Sequence, residues 1–154
     1  MEFLTIDDFD FKGKTVFLRV DMNCPIDSET LEITGTKRIE ETIETIESLN
    51  DAKIVMASHQ GRVGNKDYTS MEKHAKVLES LLGKKITYVD DVIGVAAQNE
   101  IKKLDNGQIL LLDNLRLCAE ENYEFSGPEA TKTIMVRRLS SNRICPLSSF
   151  FISF

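Results

Sequence analysis

The sequence predicts an α/β fold: a three-layer, Rossmann-like parallel sheet with helices on both faces. Two observations carry this. Short apolar runs of strand length alternate with segments whose apolar residues recur every three or four positions, the pattern of βαβ units. The short runs are also nearly all apolar, as expected when helices cover both faces of a sheet. At 154 residues, 42% of them hydrophobic, the chain has the length of one domain and the material for a core.

The first strand is Thr15-Val16-Phe17-Leu18. Residues 37–49 then place Ile39, Ile43, Ile46 and Leu49 on one face of a single amphipathic helix. Residues 53–57 form the second strand. Residues 71–82 repeat the helical period through Ala75, Leu78 and Leu82, and Gly83 suits the termination. A short strand follows at 86–89, then a helix at 92–104 through Val92, Ala96, Ala97, Ile101 and Leu104. Asn106-Gly107 turns the chain into a fourth strand at 108–112. Gly127-Pro128-Glu129 opens a last helix, with Pro128 and Glu129 favourable in its first turn and Ile134, Met135 and Leu139 as its apolar side.

The rhythm stops there. Residues 1–139 read as the domain and 140–154 as a tail, a polar break followed by Phe150-Phe151-Ile152-Ser153-Phe154. The tail is uncharged and β-prone after Pro146. It either adds to an open edge of its own sheet or pairs between molecules; self-association is the preferred expectation.

A net charge of −6 excludes a general nucleic-acid surface while permitting a local cationic pocket. Cys24, Cys118 and Cys145 are odd in number and widely spaced, which suits reduced thiols. The first residues lack a basic segment before an apolar core, so no signal peptide is expected. No apolar run approaches the roughly 20 residues of a membrane helix. A cytoplasmic protein with no membrane or nucleic-acid partner is the expectation. Two histidines and unclustered cysteines predict no metal site. His74, between Lys73 and Lys76, reads as solvent-facing, and Glu120-Glu121 as solvated surface. Asp90-Asp91 fits an N-cap for the next helix better than a cation site. The sequence holds neither GxxxxGK[ST] nor GxGxxG, so no nucleotide site is expected in this chain.

Polar groups gather after the strands. The first runs into Arg19-Val20-Asp21-Met22-Asn23-Cys24-Pro25, the second into Ser58-His59-Gln60-Gly61-Arg62, and the fourth into Asp113-Asn114-Leu115-Arg116. Ligands of open α/β sheets bind outside the carboxyl ends of the strands. Asp21 and Asn23 taken alone read slightly better as turn residues bonding local backbone. His59 alone fits a strand cap, and Arg116 alone is commonplace. Gly61 beside Arg62 shifts the balance, since glycine admits close approach and arginine offers a bidentate fork for phosphate or carboxylate. Arg38 opposes the dipole of its own helix start, which points to a nearby anion or a solvated face.

These three segments together with Arg38-Ile39, in this order and spacing, resemble the amino-terminal half of phosphoglycerate kinase from about residue 12 to about residue 139. Met22, Cys24, Gln60 and Val63 stand where the family more commonly has Phe, Val, Leu and Pro; they read as pocket-wall changes and are similar to archaeal members. The resemblance implies phosphoryl transfer between ATP and 3-phosphoglycerate in glycolysis and gluconeogenesis. It implies that this half holds 3-phosphoglycerate while a second domain holds Mg-ATP or Mg-ADP. Asp21 and Asn23 would contact the hydroxyl and carboxyl end, His59, Arg62 and Arg116 the phosphate, and Arg38, the catalytic residue, the phosphoryl group in flight. Residues 140–154 match none of the family's continuation, so the chain reads as truncated and inactive alone. The alternative is a non-catalytic anion-binding or interaction module on the same scaffold.

Overall fold

The structure, a computed structural model, describes residues 5–118, Glu121 and the strand Phe150–Ser153. Strands β1 (Thr15–Arg19), β2 (Lys53–Ala57), β3 (Ile86–Val89), β4 (Ile109–Leu112) and β5 (Phe150–Ser153) pair in parallel in the order β3-β4-β2-β1-β5. Because side chains alternate across a strand, each of β1 to β4 feeds two cores. Val16, Leu18, Ile54, Met56, Ile109 and Leu111 enter one core with Ile39, Ile46, Leu49, Ala75 and Leu78. These come from α1 (Lys37–Glu40), α2 (Ile43–Ser48) with its capping Leu49, and α3 (Glu72–Leu82). Phe17, Val55, Ala57, Leu110 and Leu112 enter the other core, with Ala97, Ile101 and Leu104 of α4 (Val95–Lys103) and its end. The three layers follow from that alternation.

The predicted helix over 37–49 is two helices. Thr42 closes on the Ile39 carbonyl through its N–H (3.1 Å) and its Oγ1 (2.7 Å), a tight turn replacing the regular helical bond. The apolar stripe survives the break, since Ile39, Ile46 and Leu49 remain buried. Gly83 ends α3 with φ 63°, the left-handed cap its position calls for. Asp91 Oδ1 accepts from Gly94 N–H and Oδ2 from Ala97 N–H, both at 2.9 Å, so it tethers the start of α4 from upstream. The last predicted helix, with Pro128, Glu129, Ile134, Met135 and Leu139, and residues 140–149 lie outside the described residues. β5 adds to β1, pairing Phe150 with Val16 and Ser153 with Arg19. No helix among the described residues is long and apolar enough to cross a membrane.

His74 is not solvent-facing: it is fully buried, one turn after Met71 and one before Leu78 on the apolar stripe of α3. Burial pushes its ring down to about 4, with the Met22 backbone carbonyl drawing it partly back. The folded value lies below the unfolded 6.5, so the unfolded chain binds the proton first. Stability from this group therefore falls as pH drops from about 6.5 towards 4, by roughly 3 kcal/mol in all. Urea unfolding across this range should show that loss in the natural chain and a much flatter profile in His74→Gln. Identical profiles would exclude His74 as the cause.

Candidate functional site

The parallel register aligns the strand ends on one edge: Arg19 lies beside Ala57, and Met56 beside Leu111. The alternation continues beyond the ladder. Val20, Met22 and Cys24 turn inward, while Asp21 is exposed and Asn23 half-buried. Ser58 and Gln60 are likewise buried, while His59 between them is partly open. Met22, Cys24 and Gln60 are thus core residues and not pocket wall, and Val63 is 62% exposed.

Outside the ladder, backbone groups need other partners, and side-chain amides supply them. Asn114 Nδ2 donates to the Gln60 carbonyl at 2.7 Å, and Gln60 N–H donates to Asn114 Oδ1 at 3.3 Å. The Gln60 side chain repeats the device one strand over: Oε1 accepts from Cys24 N–H at 2.9 Å, and Nε2 donates to the Cys24 carbonyl at 3.1 Å. Ser58 Oγ accepts from Met22 N–H (2.9 Å), and Asn23 Oδ1 from Gly61 N–H (2.9 Å). Asp113 Oδ1 accepts from Met71 N–H at 2.8 Å and anchors the start of α3. Asp113 and Asn114 therefore hold the edge together and do not face the crevice.

Gly61 has φ 62°, and a Cβ there would lie 2.7 Å from the Asp67 carbonyl. The close approach that glycine permits is to the chain's own 67–68 backbone.

Charges collect on this scaffold in opposed pairs. Arg38 is bonded to the Asp21 carboxylate, the anion that its helix-start position foreshadowed. Asp21 also accepts from Asn23 N–H at 3.1 Å, so the local-backbone reading holds alongside. Arg19 pairs with Glu121 at 2.6 Å, and the Glu121 side chain is only 8% exposed, not the solvated surface its sequence suggests. His59 sits within reach of both pairs. Its ring is held below the usual value by burial first and Arg116 next, with Asp21 and Glu121 pulling upward and Arg19 down. Burial raises the Cys24 thiol, which is free. Among the described residues no three His, Cys, Asp or Glu side chains gather as a metal cluster.

Asp21, Asn23, Arg38, His59 and Arg116 thus share one edge, with Arg62 exposed just after Gly61. Sequence reasoning placed Arg19, Ser58 and Gln60 in these segments without their roles, and missed His74 and Glu121. For Ser58, Gln60 and His74 the signal is periodicity, since each falls on a buried position of its strand or helix pattern.

Known proteins carry the same chain segment. The family model described as "Phosphoglycerate kinase" matches residues 6–144. "Phosphoglycerate kinase 2" of Methanosarcina acetivorans is 45% identical over 90% of this chain and 33% of its own length. The phosphoglycerate kinase of Archaeoglobus fulgidus is 44% identical over 89% and 33%. The crystal structure of phosphoglycerate kinase from Pyrococcus horikoshii OT3 superposes with a TM-score of 0.81 at 40% identity, covering 88% of this chain and 33% of that one. The chain spans about a third of the length of these relatives. With a family match across most of its length and 40–45% identity to such relatives, this chain belongs to the phosphoglycerate kinase family.

Proposed function

We propose that this chain is the 3-phosphoglycerate-binding half of a phosphoglycerate kinase, the enzyme that moves a phosphoryl group between ATP and 3-phosphoglycerate. The observation that carries this is the crevice edge, where His59 and Arg116, after two aligned strands, and Arg38 of α1 lie about the Asp21–Asn23 segment. Asp21 and Asn23 take the hydroxyl and carboxyl end of the substrate. His59, Arg62 and Arg116 take its phosphate, and Arg38 faces the phosphoryl group being transferred. Such transfer needs positioning and cationic stabilisation more than covalent chemistry. A phosphate settling beside His59 opposes the burial and the Arg116 charge that keep the ring neutral.

The residues present do not fit Mg-nucleotide. The 154-residue sequence has no glycine-rich phosphate loop, and the acids Asp21 and Glu121 are already paired with Arg38 and Arg19. No step is assigned here to the nucleotide. A cytoplasmic location accompanies this reading, since both substrates are charged metabolites that do not cross bilayers unaided. So does a boundary near residue 139 between domain and tail.

NMR titration with 3-phosphoglycerate should shift the resonances of Asp21, His59, Arg62 and Arg116. Arg62→Ala should weaken binding about ten- to hundredfold, the loss of one charge-assisted contact. No shifts at millimolar ligand would sink the reading.

A coupled assay on the purified 154 residues, free of host kinase, should detect no turnover. Turnover that Arg38→Ala abolishes would show a complete kinase, whereas tight binding of unrelated anions without preference for 3-phosphoglycerate would favour the non-catalytic module.

Self-association through β5 belongs to the same proposal. That strand is uncharged and, among the described residues, has β1 on one side and no strand on the other. Light scattering should report assemblies for the full chain and a monomer after deletion of residues 147–154. A monomeric full chain that loses stability on deletion would confine β5 to its own sheet.

A further inference from the structure

Between the crevice and the core lies a buried polar group that the proposed reaction does not use. His74 and Gln60 are both fully buried, and His74 Nε2 lies 3.0 Å from Gln60 Oε1. Gln60 cannot turn its amide over. Oε1 must meet the Cys24 N–H and Nε2 the Cys24 carbonyl, and Nε2 is also 3.3 Å from the Asp67 carbonyl. Reversal would set an amide NH2 against an N–H and an oxygen against two carbonyls. Oε1 is therefore an acceptor, and the His74 nitrogen facing it must be the donor. Nδ1 makes no hydrogen bond to the described residues, in keeping with the proton residing on Nε2, while the Met22 backbone carbonyl also attracts the ring's proton.

The consequence reaches the crevice. Cys24 directly follows Asn23, whose side chain accepts from Gly61 N–H, and Gly61 directly follows Gln60. The two substrate segments are thus joined three times: by Ser58 and Met22, by Asn23 and Gly61, and in the core by Gln60 and Cys24, at adjacent positions in the last two. Asp21 and Asn23 ride on the segment that this inner tie holds. His74 touches neither segment's crevice side, yet fixes the amide that joins them.

We infer that Gln60 and His74 are positioning residues for the anion site: the His74 Nε2–H locks the Gln60 amide, which sets the 21–24 segment against the 58–62 segment. Neither residue touches the ligand. The inference rests on the reading of the crevice as a 3-phosphoglycerate site, and the test separates the two.

The ring 15N shifts of His74 in the natural chain should show the neutral Nε2–H tautomer; the Nδ1–H tautomer would overturn the inference. His74→Phe removes the donor while keeping a ring in the space, and His74→Gln can restore an N–H at similar reach. In His74→Phe, hydrogen exchange at Cys24 N–H should quicken and 3-phosphoglycerate affinity fall, each about tenfold, the measure of one buried hydrogen bond. Exchange at Leu111 in β4 should not change. His74→Gln should restore both quantities to within about threefold of the natural chain. A folded His74→Phe with unaltered Cys24 exchange, or a His74→Gln no better than His74→Phe, overturns the inference. If His74→Phe does not fold, the tautomer alone decides. If the natural chain binds no 3-phosphoglycerate, the functional reading fails, while tautomer and exchange still judge the tie.

Discussion

Everything at the crevice depends on how three strand ends satisfy their backbone groups once they leave the ladder. Within the sheet, each strand serves its neighbour. Two to five residues further on, two side-chain amides take over: Asn114 holds the Gln60 backbone, and Gln60 holds the Cys24 backbone. This relay imitates ladder bonding at a spacing that lets the chains diverge. It is costly to interrupt, because a buried amide left without partners loses about 1–3 kcal/mol per group. The same tie keeps Asp21, Asn23 and His59 pointing away from the core.

Electrostatics then act on a fixed frame. Arg38 with Asp21, and Arg19 with Glu121, are opposed pairs that meet around His59. The first, half-exposed, contributes little to stability. The effect of both pairs is local: they hold cationic groups at the edge without leaving a bare cluster of like charge, which would resist folding.

Much of this was legible in the residues. β2 and β3 occupy their predicted residues, 53–57 and 86–89, because uninterrupted apolar runs between turn residues admit few alternatives. The helix over 37–49 was misjudged because periodicity reports a buried face, and Thr42 breaks the backbone without breaking that face. His74 was misjudged for the opposite reason. Its lysine neighbours in sequence suggested solvent, whereas its neighbours along the helical stripe, Met71 and Leu78, are both fully buried. Gln60 falls on the inward parity of Ile54, Met56 and Ser58, but nothing local announces which backbone a buried amide will serve. Glu121 was beyond reach, since its partner Arg19 lies far away in the chain.

The position of β5 bears on the order in which the sheet assembles. Val16 pairs with Ile54 on one side and with Phe150 on the other, a chain separation several times longer. Closing the longer span costs little more at equilibrium, because each doubling of loop length adds only about 0.6 kcal/mol. Kinetically the difference is larger, since distant parallel pairing is slow. The four strands β3-β4-β2-β1 can therefore complete both cores before β5 arrives. The crevice takes its strand ends from β1, β2 and β4, with Arg38 from α1, and not from β5. The late strand gives the sheet its final edge without being needed to shape the site.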